Sequence, residues 1–225
     1  MTKTLRNRCG MKLINQLCLA SALSAGLWAS TCAASVVYDA KYTGTSSLPF
    51  YSSGSAYGDE IVLGGTARVL TEFHFAYYSD YSQSSGLSFT LYANDGPLVN
   101  GYASPGTVLF SDTYDVITGT SGVDIDVPFT PDPSDPLPDR LTFVVQFLGT
   151  GTAGLLIADA PTVGASGDDF WEQGQSGWEL RQIPGYTANF EATVTAVPET
   201  NPGVAATLGL AGLGVFASYR RMQRR

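Results

Sequence analysis

The sequence predicts an all-β body, a two-sheet antiparallel sandwich of jelly-roll type, flanked by an N-terminal signal helix and a C-terminal transmembrane helix. Three observations predict it. Between Ser35 and Ala196 apolar residues alternate with polar ones over short runs, and no window sustains a 3.6-residue period. Breakers separate those runs at hairpin spacing: Asn94-Asp95-Gly96-Pro97, Ser104-Pro105-Gly106, Thr118-Gly119 and Gly149-Thr150-Gly151. With 25 Gly and 12 Tyr in the chain, the composition also suits a turn-rich β protein.

The leader comes first. Lys3, Arg6, Arg8 and Lys12 form a basic region, Leu13 to Ala29 is mostly apolar, and small residues follow at Thr31-Cys32-Ala33-Ala34. That order is a Sec-type signal peptide spanning residues 1–34, cleaved after Ala33 or Ala34. Cys32 admits a lipoprotein alternative, against which Thr31 is a poor preceding residue. All three cysteines (Cys9, Cys18, Cys32) lie in this leader. The exported chain would therefore have no disulfide to form, and its stability must come from an ordinary core.

Residues 35–196 form the predicted domain. Arg68 to Tyr78 places Phe73, Phe75 and Tyr77 on one face and Glu72, His74 and Ala76 on the other. Leu87 to Ala93 alternates in the same way. Val108–Val116, Val123–Phe129, Leu141–Leu148, Gly154–Ala158 and Asn189–Val197 are further strand-like runs, and about ten short strands with such turns are expected overall. Asp132-Pro133-Ser134-Asp135-Pro136-Leu137-Pro138 reads as a rigid proline loop. From Ser35 to Pro198 there are four cations (Lys41, Arg68, Arg140, Arg181) against 19 Asp and Glu, a formal charge of −15. Such a body is repelled by nucleic acid and by anionic headgroups. It suits soluble secretion, divalent cations, or a matrix of neutral or basic polymers.

The last segment, 197–225, has three parts. Val197-Pro198-Glu199 is followed by an uncharged run, residues 203–219, and then by Arg220, Arg221, Arg224 and Arg225. As a helix the run rises about 25 Å against a hydrocarbon core of about 30 Å. Tyr219 at the interface and snorkelling arginines close part of the gap. The arginines should stay cytoplasmic, with the body across the inner membrane. The alternative is a buried C-terminal helix of a soluble domain.

This layout resembles the PEP-CTERM sorting signal of Gram-negative bacteria that make exopolysaccharide. Val197, Pro198 and Glu199 match its box, with Thr200 where a second Pro is usual and the next Pro at 202. The resemblance covers about 30 residues of the chain. It implies export through the Sec translocon, anchoring by the tail, then recognition by an exosortase and release to the cell surface or extracellular matrix. Three stretches, Tyr57–Leu63, Leu91–Gly96 and Gly167–Trp171, are loosely similar to β-sandwich bodies that precede such tails, which implies a surface domain without an assigned activity.

Few residues suggest chemistry. His74 is the sole histidine, which rules out a His-based zinc site and leaves one residue for any Ser-His-Asp triad. There is no phosphate-cradling loop and no dinucleotide fingerprint. Asp168, Asp169 and Glu172 cluster beside Trp171, with Trp178 nearby. They admit three readings: a sugar-binding face in which the indoles stack on pyranose rings, a glycosidase carboxylate pair, or indoles in the core with acids in a loop. Asp95, Asp132, Asp135 and Asp168 are candidate ligands for a structural Ca²⁺, without EF-hand spacing. The function expected is that of a non-catalytic exported envelope or matrix protein without a cofactor. The alternative is a carbohydrate-binding module for exopolysaccharide using Trp171, Trp178, Asp168 and Asp169.

Overall fold

The computed structural model describes residues 33–44, 49–83, 85–116, 122–183 and 189–199. All of these except Ala33 belong to one unit, Ala34–Arg225. The leader, the apolar run 203–219, the terminal arginines and the Thr118-Gly119 turn lie outside the described residues. Among the described residues no helix is long and apolar enough to cross a membrane.

The described chain is all-β and antiparallel, as the alternation predicts. Its strands are β1 (Ser35–Ala40), β2 (Phe50–Tyr51), β3 (Tyr57–Val62), β4 (Val69–Ser79), β5 (Ser85–Ala93), β6 (Leu98–Val99), β7 (Tyr102–Ala103) and β8 (Val108–Val116). They continue with β9 (Gly122–Pro128), β10 (Arg140–Phe147), β11 (Ala153–Ala158), β12 (Ala165–Ser166), β13 (Phe170–Gly174), β14 (Gly177–Arg181), β15 (Asn189–Phe190) and β16 (Ala192–Val197). One sheet runs β1-β16-β4-β11-β15, with β9 also on β4 and β2 on β11. The other runs β14-β13-β3-β10-β5-β8, with β12 also on β3. The hairpin β6–β7 stands apart as a two-stranded sheet.

The principal pairings are nested. β1 pairs β16, β3 pairs β10, β4 pairs β9 and β5 pairs β8. A long antiparallel ribbon folded about the β5–β8 connection gives this order. The segment β11–β15 is inserted between the last two arms of the ribbon. The predicted Asn189–Val197 strand is split at Glu191 because it changes partner there. The Glu191 amide donates to Leu156 of β11 (2.9 Å), while its carbonyl accepts from Ala76 of β4 (3.4 Å).

The buried faces of the two sheets meet. Phe73 and Phe75 of β4 reach Phe89 of β5 with ring centroids 5.0 and 5.2 Å apart, and Phe73 lies 5.3 Å from Phe143 of β10. At the other end Tyr51, Tyr57, Phe170 and Phe190, contributed by both sheets, pack edge to face. Each such pair adds about 0.5–1.5 kcal/mol beyond its area burial. Tyr57 resolves the cost of burying a hydroxyl: its Oη donates to the Tyr51 carbonyl (2.7 Å) and accepts from the Leu155 amide (3.0 Å), stitching one sheet to the other. Arg68 fixes the β3–β4 connection, donating to Asp139 and to the carbonyls of Leu63, Gly64, Gly65 and Ala67. The 132–138 segment is a loop, as its prolines predict. It helps line an apolar recess of about 150 Å³ with Leu70, Leu91, Leu109 and Phe110.

Candidate functional site: a polar cleft beside the outer face of the second sheet

β3 alternates across its sheet. Tyr57 and Ile61 enter the core, and by the two-residue period Gly58, Glu60 and Val62 face outward. Glu60 lies in register with Thr142 of β10, which in turn faces Tyr92 of β5. Its carboxylate is held by three donors: Arg140 through Nη1, Asn94 through Nδ2 (2.6 Å) and Trp171 through Nε1 (3.4 Å). Asn94 is itself oriented by Thr142, whose hydroxyl donates to Asn94 Oδ1 (3.0 Å). Glu60 and Arg140 therefore form a positioned ion pair in one wall of a cleft of about 450 Å³. The rest of its lining comes from Ser166, Asp168 and Asp169 on the β12–β13 segment, from Leu180 and Gln182 at β14, and from Tyr102 of β7, among others.

The electrostatics of the cleft are acidic. Asp169 is half-buried, and burial raises its pKa above the ordinary carboxylate value, with Glu60 and Asp168 adding to the rise. Ser166 also reaches a further acid, Asp59, which is fully buried. Ser166 Oγ sits 2.8 and 2.9 Å from the two Asp59 oxygens, and the Phe190 amide donates to Oδ2 (3.3 Å). Burial pushes the Asp59 carboxyl well above its usual range against these hydrogen bonds, with Glu60 and Asp169 contributing further. Burial also raises the neighbouring Tyr38 hydroxyl, with the nearby Asp59 adding to the rise and Ser166 opposing it.

The residues singled out in the sequence separate on folding. Asp168 and Asp169 line the cleft. Trp171 lies beside Gly58 in the sheet and is 0% exposed, so neither face of its ring is open to a sugar; it serves to hold Glu60. Trp178 is half-buried, edge-on to Tyr92 at 5.6 Å, and is not among the cleft's lining residues. Glu172 turns to other partners: Arg181 (3.3 Å), the Ser53 hydroxyl and Tyr51 Oη (3.4 Å). The aromatic ring that does reach the cleft is Tyr102, 50% exposed. Its nearest sequence signal is the Asn100-Gly101 dipeptide, which marks a tight hairpin. Val197, Pro198 and Glu199 bridge the end of the domain: Val197 closes the β16–β4 ladder opposite Val69, and Pro198 and Glu199 are exposed.

The Ca²⁺ candidates are not drawn into one site. Asp95 caps a turn, accepting from the Thr107 amide and hydroxyl (both 2.7 Å), and Asp132 accepts from the Ser134 amide and hydroxyl (2.9 and 2.6 Å). These bonds lower both pKa values. Among the described residues no group of three or more His, Cys, Asp or Glu is placed to hold a metal ion. His74 belongs to the other sheet, between Asp126 (2.8 Å from Nδ1) and Asp124 (3.6 Å from Nε2). The cleft can offer hydrogen-bond acceptors, one guanidinium, a hydroxyl, an amide and one aromatic face. No protein-family model, curated protein or solved structure matches the chain.

Proposed function

We propose that the chain is a non-catalytic, exported envelope or extracellular-matrix protein, built as a two-sheet jelly-roll-like sandwich and routed by its PEP-CTERM-like tail. The nested strand pairing supports the jelly-roll assignment. One observation carries the sorting reading. β1 begins at Ser35 and β16 ends at Val197, and the two strands lie side by side, with Ser35 opposite Ala196. A leader cut after Ala33 or Ala34 and a tail cut after the box would both leave every described strand in place. Pro198 and Glu199 are exposed where a processing enzyme must reach them. Deleting residues 198–225 should shift the protein from the envelope fraction to the soluble fraction while its thermal unfolding stays the same. A truncated chain that fractionates like the intact one overturns the sorting reading.

A second reading is a carbohydrate-binding module for exopolysaccharide. The cleft between Tyr102 and Asp168-Asp169 supports it, because an exposed ring beside carboxylates, an amide and a hydroxyl is the chemistry that grips a polyol.

A further inference from the structure

We propose that the cleft bounded by Glu60, Arg140, Asp168, Asp169 and Tyr102 binds a glycan carrying free amino groups, with Asp168 and Asp169 as its charge partners and Tyr102 as its stacking face. The inference rests on the carbohydrate reading above and narrows it to one ligand chemistry.

The cleft has the volume of a small-molecule site, for which about 300–1,000 Å³ is usual. Its charges do not balance. Arg140 is the one cation in the lining, and it is already paired with Glu60. Glu60 is locked from two more sides by Asn94 and Trp171, so the pair is a fixed wall rather than a reservoir of positive charge. Asp168 and Asp169 are left with no cation at ion-pair distance among the described residues. They are adjacent on a segment tied down through Ser166 to the buried Asp59. Burial first, and then the nearby Glu60 and Asp168, make the half-buried Asp169 harder to ionise than a free carboxylate, and no counter-charge among the described residues offsets them. A ligand ammonium supplies that counter-charge.

The aromatic partner is positioned as well. Asn100 (φ 54°) and Gly101 (φ 90°) both occupy the left-handed region, the signature of the two-residue turn that matches strand twist. Tyr102 follows at once and pairs with Val99 across the hairpin. A half-exposed ring on a rigid turn at the rim of a polar cleft presents a face to a pyranose at low entropic cost. The −15 charge of the body steers cationic polymers toward the surface and repels uronate or sulfated ones.

The test is a titration of the intact chain in detergent with oligomers of glucosamine, N-acetylglucosamine and galacturonate, and with oligolysine. Glucosamine oligomers should bind about tenfold or more tightly than the acetylated ones, a difference of about 1.4 kcal/mol. Galacturonate should not bind, and rising ionic strength should weaken the glucosamine complex. Asp168→Asn and Tyr102→Ala, both at exposed positions, should each lose about tenfold in affinity. Asp126→Asn on the opposite sheet should lose none. Equal binding of acetylated and amino oligomers overturns the charge inference and leaves the carbohydrate reading standing. Oligolysine binding as tightly as glucosamine, with Tyr102→Ala silent, assigns the cleft to basic peptides and overturns the proposal. No binding by any sugar removes both readings.

Discussion

Asp59 is the least comfortable residue in the molecule. Its carboxyl is fully buried, it accepts from Ser166 and the Phe190 amide, and among the described residues no cation pairs with it. The buried Tyr38 hydroxyl lies close by. An ionised carboxylate there is costly, so the folded state favours the protonated form and its pKa rises. The sign of the linkage follows. The folded chain binds a proton that the unfolded chain has already released, so this group's contribution is fully present below about pH 4 and is lost as pH rises toward the folded pKa. Within that window stability should fall by up to about 1.4 kcal/mol per pH unit. Asp59→Asn should flatten the slope and raise the melting temperature at neutral pH. The amide keeps an acceptor for Ser166 and brings a donor toward Tyr38. Thermal melts of both proteins from pH 4 to 8 decide this; a variant with an unchanged slope would assign the pH dependence to other acids.

At the scale of elements, the alternation announced β4, β5, β8, β9, β10, β11 and the β15–β16 run, but not β1, β3, β13 or β14, of five or six residues, nor the shortest strands. Phe73, Phe75 and Tyr77 alternate cleanly against Glu72 and His74, and all three rings are buried. β2, β6, β7, β12 and β15 have two residues each, too few to display any period. The site was half legible. Asp168 and Asp169 stood out as a cluster, but Glu60 and Arg140, 80 positions apart in the chain, meet only through β3–β10 pairing. For Trp171 the sequence left open an indole on a sugar-binding face or one packed inside the fold. Here Phe170 enters the core and Trp171 is buried on the other face. Gly58, its neighbour in register on β3, lies tight against β10. A Cβ at Gly58 would fall on the carbonyl of Phe143 in β10. Gly58→Ala must push β3 away from β10, and Glu60 and the cleft wall with it. It should cost about 3 kcal/mol in urea unfolding, whereas Gly54→Ala, with nothing within 4 Å of the new methyl, should stay within about 0.5 kcal/mol of the parent.

For the whole molecule, the balance of charge matters more than any single ion pair. All four cations of the body are already engaged: Lys41 with Asp39 (3.4 Å), Arg68 with Asp139 (2.7 Å), Arg140 with Glu60, and Arg181 with Glu172 and Glu179 (3.3 and 2.6 Å). Most of these pairs have one well-exposed partner, and exposed pairs contribute about 0–1 kcal/mol each. The remaining acids repel one another across the surface, and folding brings them together. Salt weakens both effects, but the unmatched carboxylates outnumber the pairs. Added salt should therefore stabilise the domain. For residues 35–199 at neutral pH, raising NaCl from about 10 mM to about 150 mM shortens the screening length from about 30 Å to about 8 Å. The melting temperature should then rise by roughly 2–4 °C, the equivalent of about 1 kcal/mol for a domain of this size. The gain should be largest above pH 6, where the exposed carboxylates are fully ionised, and should shrink toward pH 4. A melting temperature that falls with salt would mean that the five ion pairs outweigh the surplus of negative charge, and the acidic surface would then have to be explained by what it binds rather than by how it folds.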